Sequence, residues 1–143
     1  MSQFTDATPA EQHRVASDRL ISIAEHVSDW DAPTPVKEWR ARDVPEHLTW
    51  LAGFLGGMGV ALDIPRVDDP AEQVRVQAAA VQALLEDPAA GEDVDSPMGR
   101  MPLARVINDF YTFDVIAHGW DLARSQGVDV AFDEDWATGA FPG

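Results

Sequence analysis

Apolar residues recur at three- and four-residue spacing in four stretches of this 143-residue chain, and no stretch alternates them with a period of two. The pattern asks for helices packed on one another. The first stretch opens with Thr8-Pro9-Ala10-Glu11, a capping box with proline at the first helical position. Val15, Ala16, Leu20, Ile23, Val27 and Trp30 follow at helical spacing, and Pro33 and Pro35 end the run. The second stretch starts near Arg42–Pro45 and reaches about Leu62, with Asp43 and Glu46 suited to the positive end of its dipole. The third begins at Asp69-Pro70-Ala71-Glu72 and carries Val74, Ala78, Val81, Leu84 and Leu85 on one face. An acidic loop is expected from Asp87 to Gly99. The fourth stretch runs from about Pro102 to Ser125, with Gly127 placed to stop it. Four helices with connections of moderate length predict an all-α fold, a helical bundle.

The length suits one domain with a real core, read over residues 1–143 with 128–143 as a short tail whose Trp136 and Phe141 could dock on the bundle. A hydrophobic share of 45% argues against disorder. The net charge of −15 argues against nucleic acid and anionic membrane surfaces as partners. Lys37, Arg40 and Arg42 form the one basic cluster. No signal peptide or membrane span is visible, so a cytoplasmic protein is expected. With no cysteine, a metal could be held only by histidine and carboxylate.

Two of the apolar stripes are interrupted. Asp114 and His118 lie four residues apart on the face of Leu103, Ile107, Phe110 and Tyr111. His47 lies within the stripe of Val44, Leu51, Phe54, Leu55 and Met58. Burying an unpaired polar group costs about 2–7 kcal/mol, and a charge costs more. Side chains four apart on a helix are neighbours, so Asp114 and His118 could hold one ion with His47 from a facing helix. Two histidines and one carboxylate leave coordination positions open, as catalytic sites do. Zinc comes first, with nickel and ferrous iron as alternatives. The competing reading is a polar His–Asp–His cluster with no ion.

Other residues are secondary. Asp121 shares the Asp114–His118 face and could orient a ligand histidine from behind, or pair with Arg105 or Arg124. Tyr111 reads as a core tyrosine, with donation near the site as the alternative, and Trp120 as packing against the first or third helix. His13 and His26 are expected at the surface or boundary of the first helix. Thr49, Gly53, Gly56 and Val60 suggest close packing against another helix, in this chain or in a second copy forming a homodimer. Arg100 reads as a solvated loop arginine, and Glu86–Asp95 lacks the spacing of a calcium loop.

Two segments resemble a known family. Trp39-Arg40-Ala41-Arg42-Asp43-Val44-Pro45-Glu46-His47-Leu48 is similar to the W-x-x-x-D-V-x-x-H-L signature of DinB-like metal-binding proteins, and Asp31-Ala32-Pro33-Thr34-Pro35 fits its lead-in. The string Asp114-Val115-Ile116-Ala117-His118-Gly119-Trp120-Asp121-Leu122-Ala123 matches as well. The branch it most resembles is the actinobacterial one related to mycothiol-dependent maleylpyruvate isomerase, over roughly residues 10–130. The resemblance implies an up-down-down-up four-helix bundle with one divalent ion at His47, Asp114 and His118. It also implies thiol-dependent transfer or isomerisation of a small electrophile, with mycothiol or a similar thiol as cosubstrate. The isomerase has glutamate where this chain has Asp114, and a C-terminal domain with no counterpart here, so isomerase activity itself is not carried over. No catalytic residue beyond the ligands is assigned. The alternative from another class is a non-catalytic binding or stress-associated module on the same scaffold.

Overall fold

The computed structural model describes residues 8–127; the expected tail, with Trp136 and Phe141, lies outside them. Helix α1 (Pro9–Glu25) starts as its sequence dictates. The Thr8 hydroxyl accepts the Glu11 N–H at 3.2 Å, and the Glu11 carboxylate accepts the Thr8 N–H at 3.0 Å. Two short helices follow, α2 (Asp43–His47) and α3 (Trp50–Gly56). Helix α4 (Pro70–Glu86) is capped by Asp69, which accepts the Glu72 N–H at 3.2 Å. The chain then makes a 3-10 turn (Pro88–Gly91) and an antiparallel hairpin, β1 (Asp93–Ser96) with β2 (Gly99–Pro102). Helix α5 (Leu103–Ile107), a π-helical turn (Asn108–Thr112) and α6 (Phe113–Ser125) form one continuous rod. Gly127, at φ +72°, ends it in the left-handed conformation that glycine favours.

Helix direction follows from the contacts. Arg14 pairs with Glu86, and Arg75 pairs with Glu25 at 3.3 Å, so α1 and α4 are antiparallel. His13 stacks near Tyr111, and the Gln126 amide oxygen accepts the Ser28 N–H at 3.2 Å, so α1 and α6 run parallel. Gly119 faces α1: a Cβ there would stand in ordinary van der Waals contact with Leu20 Cδ1, at 3.6 Å. The core gathers Ala16, Leu20 and Ala24 from α1, Val74, Val81 and Leu85 from α4, and Leu103, Ile107, Tyr111, Val115 and Leu122 from the last rod. Val44, Leu48, Leu51 and Leu55 enter it from α2, α3 and the turn between them.

The structure corrects several expectations. The second helix is broken after His47 and ends at Gly56, where the chain turns through Gly59 at φ +80°. The segment beyond, read as helical to Leu62, is turn and irregular chain, and the stretch after it is tied to α4 by one side chain. Gln73 donates to the Pro65 carbonyl at 2.9 Å and accepts the Val67 N–H at 2.8 Å. The acidic loop contains a hairpin, which four-residue strands rich in aspartate do not announce. Arg100 pairs across it with Asp95 at 3.0 Å. Within the chain no tight contact forms at Gly53 or Gly56: a Cβ at either would meet nothing within 4 Å. Trp120 is 44% exposed, with the Arg124 guanidinium 5.3 Å from its ring centroid.

His13 is the largest departure. It is fully buried, whereas Val15 is exposed, so the inward face of α1 runs through His13, Ala16, Ser17, Leu20 and Ala24. Its Nδ1–H donates to the Gln82 side-chain oxygen Oε1 at 2.6 Å, and Nε2 is buried without a partner. Burial holds its pKa below the ordinary histidine value, against the raising effects of Gln82 and Asp18. The unfolded chain therefore binds a proton that the folded chain refuses. Stability should be full above about pH 6.5 and decline as pH falls toward the depressed folded value. Urea midpoints measured between pH 7 and 5 should fall, and fall less steeply in His13→Leu. Equal slopes would remove His13 from the account.

Candidate metal centre

Three elements build the centre. Helix α2 ends on His47, and its place is fixed by fully buried Val44 and Leu48 on either side. Helix α6 carries Asp114 in its first turn and His118 one turn later, beside buried Val115 and Ile116. Ahead of α2, residues 30–42 fold back on themselves. Ala41 N–H donates to the Ala32 carbonyl at 2.8 Å, Thr34 N–H to Trp39 at 2.9 Å, and Arg42 N–H to Trp30 at 2.9 Å. Glu38 takes φ +71° at the tip, an uncommon conformation for a residue with a Cβ, and the turn delivers Trp39 to the histidines.

The Asp114 carboxylate sits between the two imidazoles. His118 Nε2 lies 3.1 Å from Oδ1, and His47 Nε2 lies 3.3 Å from Oδ2. Among the described residues, His47, Asp114 and His118 are the group able to offer an ion one ligand atom each, within 4.8 Å of one another. Ligands about 2.0–2.2 Å from an ion at tetrahedral angles stand about 3.3–3.6 Å apart. The His118 Nε2 to Oδ1 spacing is just under that, the three candidate donor atoms lie within 4.8 Å of one another, and two imidazoles with one carboxylate are a donor set that suits a divalent ion. The side chains are 33%, 26% and 15% exposed for His47, Asp114 and His118.

Surrounding groups hold this set in place. Asp121 Oδ2 accepts the His118 Nδ1–H at 3.1 Å, which leaves the Nε2 lone pair for a ligand role. Of the partners open to it in the sequence, Asp121 meets His118, while Arg105 pairs with Asp109 at 3.5 Å. The Trp39 ring stacks on His118 at 5.3 Å between centroids and lies 4.6 Å from His47, covering one side of both. Trp50, missed in the sequence, donates its indole N–H to Asp114 Oδ2 at 3.0 Å. Its spacing of three from His47 was the available signal, but a tryptophan in an apolar stripe reads as core. Tyr111 is buried, and burial together with the Asp114 charge pushes its hydroxyl well above the usual tyrosine pKa. It stays protonated.

The charges are coupled. Burial pushes Asp114 up, but hydrogen bonds from His118 and Trp50 and the nearby imidazoles outweigh it, and its pKa is lowered. For His118 the Asp114 hydrogen bond is the largest effect; burial opposes it, and the Asp114 and Asp121 charges add to it, so its pKa is raised. The neutral imidazole points a lone pair at an anionic oxygen 3.1 Å away. A proton or a metal cation relieves that opposition.

Comparisons with known proteins give little more. No family model matches the chain, and no solved structure matches it. Two proteins of Mycobacterium tuberculosis, one from strain CDC 1551 / Oshkosh and one from strain H37Rv, both described as uncharacterized, are 27% identical to it over 134 residues. The alignment covers 90% of this chain and 73% of each relative. Among the described residues no helix is long and apolar enough to cross a membrane.

Proposed function

We propose that the chain is a DinB-like metal protein that holds one divalent ion through His47, Asp114 and His118. The convergence of the two Nε2 atoms on one carboxylate carries this reading, together with Asp121 behind His118. The directions of α1, α4 and α6 are those of an up-down-down-up bundle with a broken second helix, which supports the family reading. Zinc is the first choice for two imidazoles and a carboxylate; nickel and ferrous iron accept the same donors.

The activity proposed for the centre is thiol-dependent transfer or isomerisation of a small electrophile, with mycothiol or a similar low-molecular-weight thiol as cosubstrate. A bound divalent ion supplies Lewis acidity that favours the thiolate of a thiol reaching it. The chain's own part is positioning. Asp121 keeps the His118 proton on Nδ1, Trp39 shields one side of both imidazoles, and partial exposure of His47 leaves the centre accessible from solvent. That same exposure favours a second reading, a non-catalytic module whose centre is too open to exclude water. Metal-loaded protein incubated with mycothiol and a panel of electrophiles separates them. Loss of free thiol, or isomerisation of the electrophile that requires the thiol, supports the enzyme when it needs both the ion and the protein. No turnover with any pair, in protein that binds the ion, supports the module.

A further inference from the structure

We propose that Trp50 is a positioning residue that restricts Asp114 to a single ligand oxygen; the inference deepens the metal reading above and rests on it. An indole N–H can only donate. Its 3.0 Å contact with Asp114 Oδ2 is therefore a hydrogen bond that engages that oxygen whether or not an ion is present. The indole N–H takes one lone pair of Oδ2 and draws charge from it, and His47 Nε2 stands 3.3 Å from the same oxygen; Oδ1, 3.1 Å from His118 Nε2, is the stronger donor left for the ion. The indole cannot readily swing away. It is half-buried and packs edge-on against Phe54 at 5.5 Å and Tyr111 at 5.8 Å between centroids. Phe54 is held in turn by Phe110 of the π-helical turn, at 5.5 Å.

The consequence is a coordination number. A carboxylate free to rotate can bind an ion through both oxygens and fill a position that an incoming ligand would need. Trp50 holds Asp114 to one oxygen, as Asp121 holds His118 to one nitrogen. Partners of this kind, one step removed from the ion, typically account for about 10–100-fold in metal affinity. Both supports come from side chains at i+3: Trp50 after His47, and Asp121 after His118.

The test uses Co(II) as the probe with the unmodified chain and Trp50→Phe, which keeps a ring and removes the donor. The affinity for Co(II) should fall about tenfold in the variant. The visible absorption of bound Co(II), intense at low coordination number, should weaken and shift as the second oxygen joins. An unmodified chain that binds Co(II) and a variant with the same affinity and spectrum overturn the Trp50 assignment alone. An unmodified chain that takes up neither Co(II) nor Zn(II) overturns the metal reading with it. Should Trp50→Phe fail to fold, the unmodified metal-free chain still decides. The Trp50 indole proton should be shifted downfield and exchange slowly by NMR; exchange as rapid as that of a solvent-exposed indole overturns the assignment.

Discussion

Purified without an affinity tag, the chain is expected to carry one divalent ion, and His118→Ala and His47→Ala are each expected to lose it, with affinity down on the order of 100-fold or more. Each variant removes one of three donors and leaves the other two unable to close a set. Asp121→Asn should be milder, about 10–100-fold, because the ligand survives and only its orientation and basicity suffer. Elemental analysis and titration with zinc read all three. Metal uptake needs neutral imidazoles. The His118 pKa is raised, first by its hydrogen bond to Asp114, so affinity should climb as pH rises through a value above the usual 6.5 or so. Stability of the metal-free chain has the opposite sign. The protonated His118–Asp114 pair contributes fully from about pH 6.5 down to the carboxylate range; its contribution is lost as pH rises through the raised His118 value or falls through the lowered Asp114 value. If the chain stays metal-free after incubation with zinc, nickel and ferrous iron, a structural His–Asp–His cluster is the correct description.

The three candidate ligands were legible because their polarity contradicts the apolar stripes around them, a conflict that one helical period exposes. The Thr8–Glu11 box, the Asp69 cap and Gly127 were legible for a similar reason: each is a short-range signal complete within a few residues. What failed depended on phase or on tertiary contact. The apolar stripe through Val15, Ala16 and Leu20 lies about one residue off the buried face, so His13 falls outside it. The break after His47 has no proline or glycine to mark it. The hairpin is held by pairing between two four-residue strands, Asp93 opposite Pro102 through Ser96 opposite Gly99, whose alternation is too short to register. Trp50 and Trp39 were visible as aromatics, but their roles are set by a carboxylate 64 positions away and by a turn at Glu38.

Leu51→Ala is expected to produce the largest loss of stability among single changes near the centre, and to weaken the ion with it. Helices α2 and α3 have five and seven residues, far below the length at which a helix holds itself in water. They persist because Val44, Leu48, Leu51 and Leu55 are fully buried in the common core. Truncating one such leucine costs about 2–5 kcal/mol, a large share of the 5–15 or so that a domain possesses. The melting temperature should drop by on the order of 10 °C. Leu51 adjoins Trp50 and lies one turn beyond His47, so looseness there reaches two of the groups that meet Asp114. Saturating zinc binds the folded chain and should restore part of the loss, about 2.7 kcal/mol at a hundredfold excess over Kd. Leu85→Ala provides the contrast. It empties a buried position on α4, which gives the centre no ligand, so it should lower the melting temperature and leave zinc affinity unchanged. Equal effects of the two variants on affinity would mean that the centre depends on overall stability rather than on the anchoring of α2 and α3.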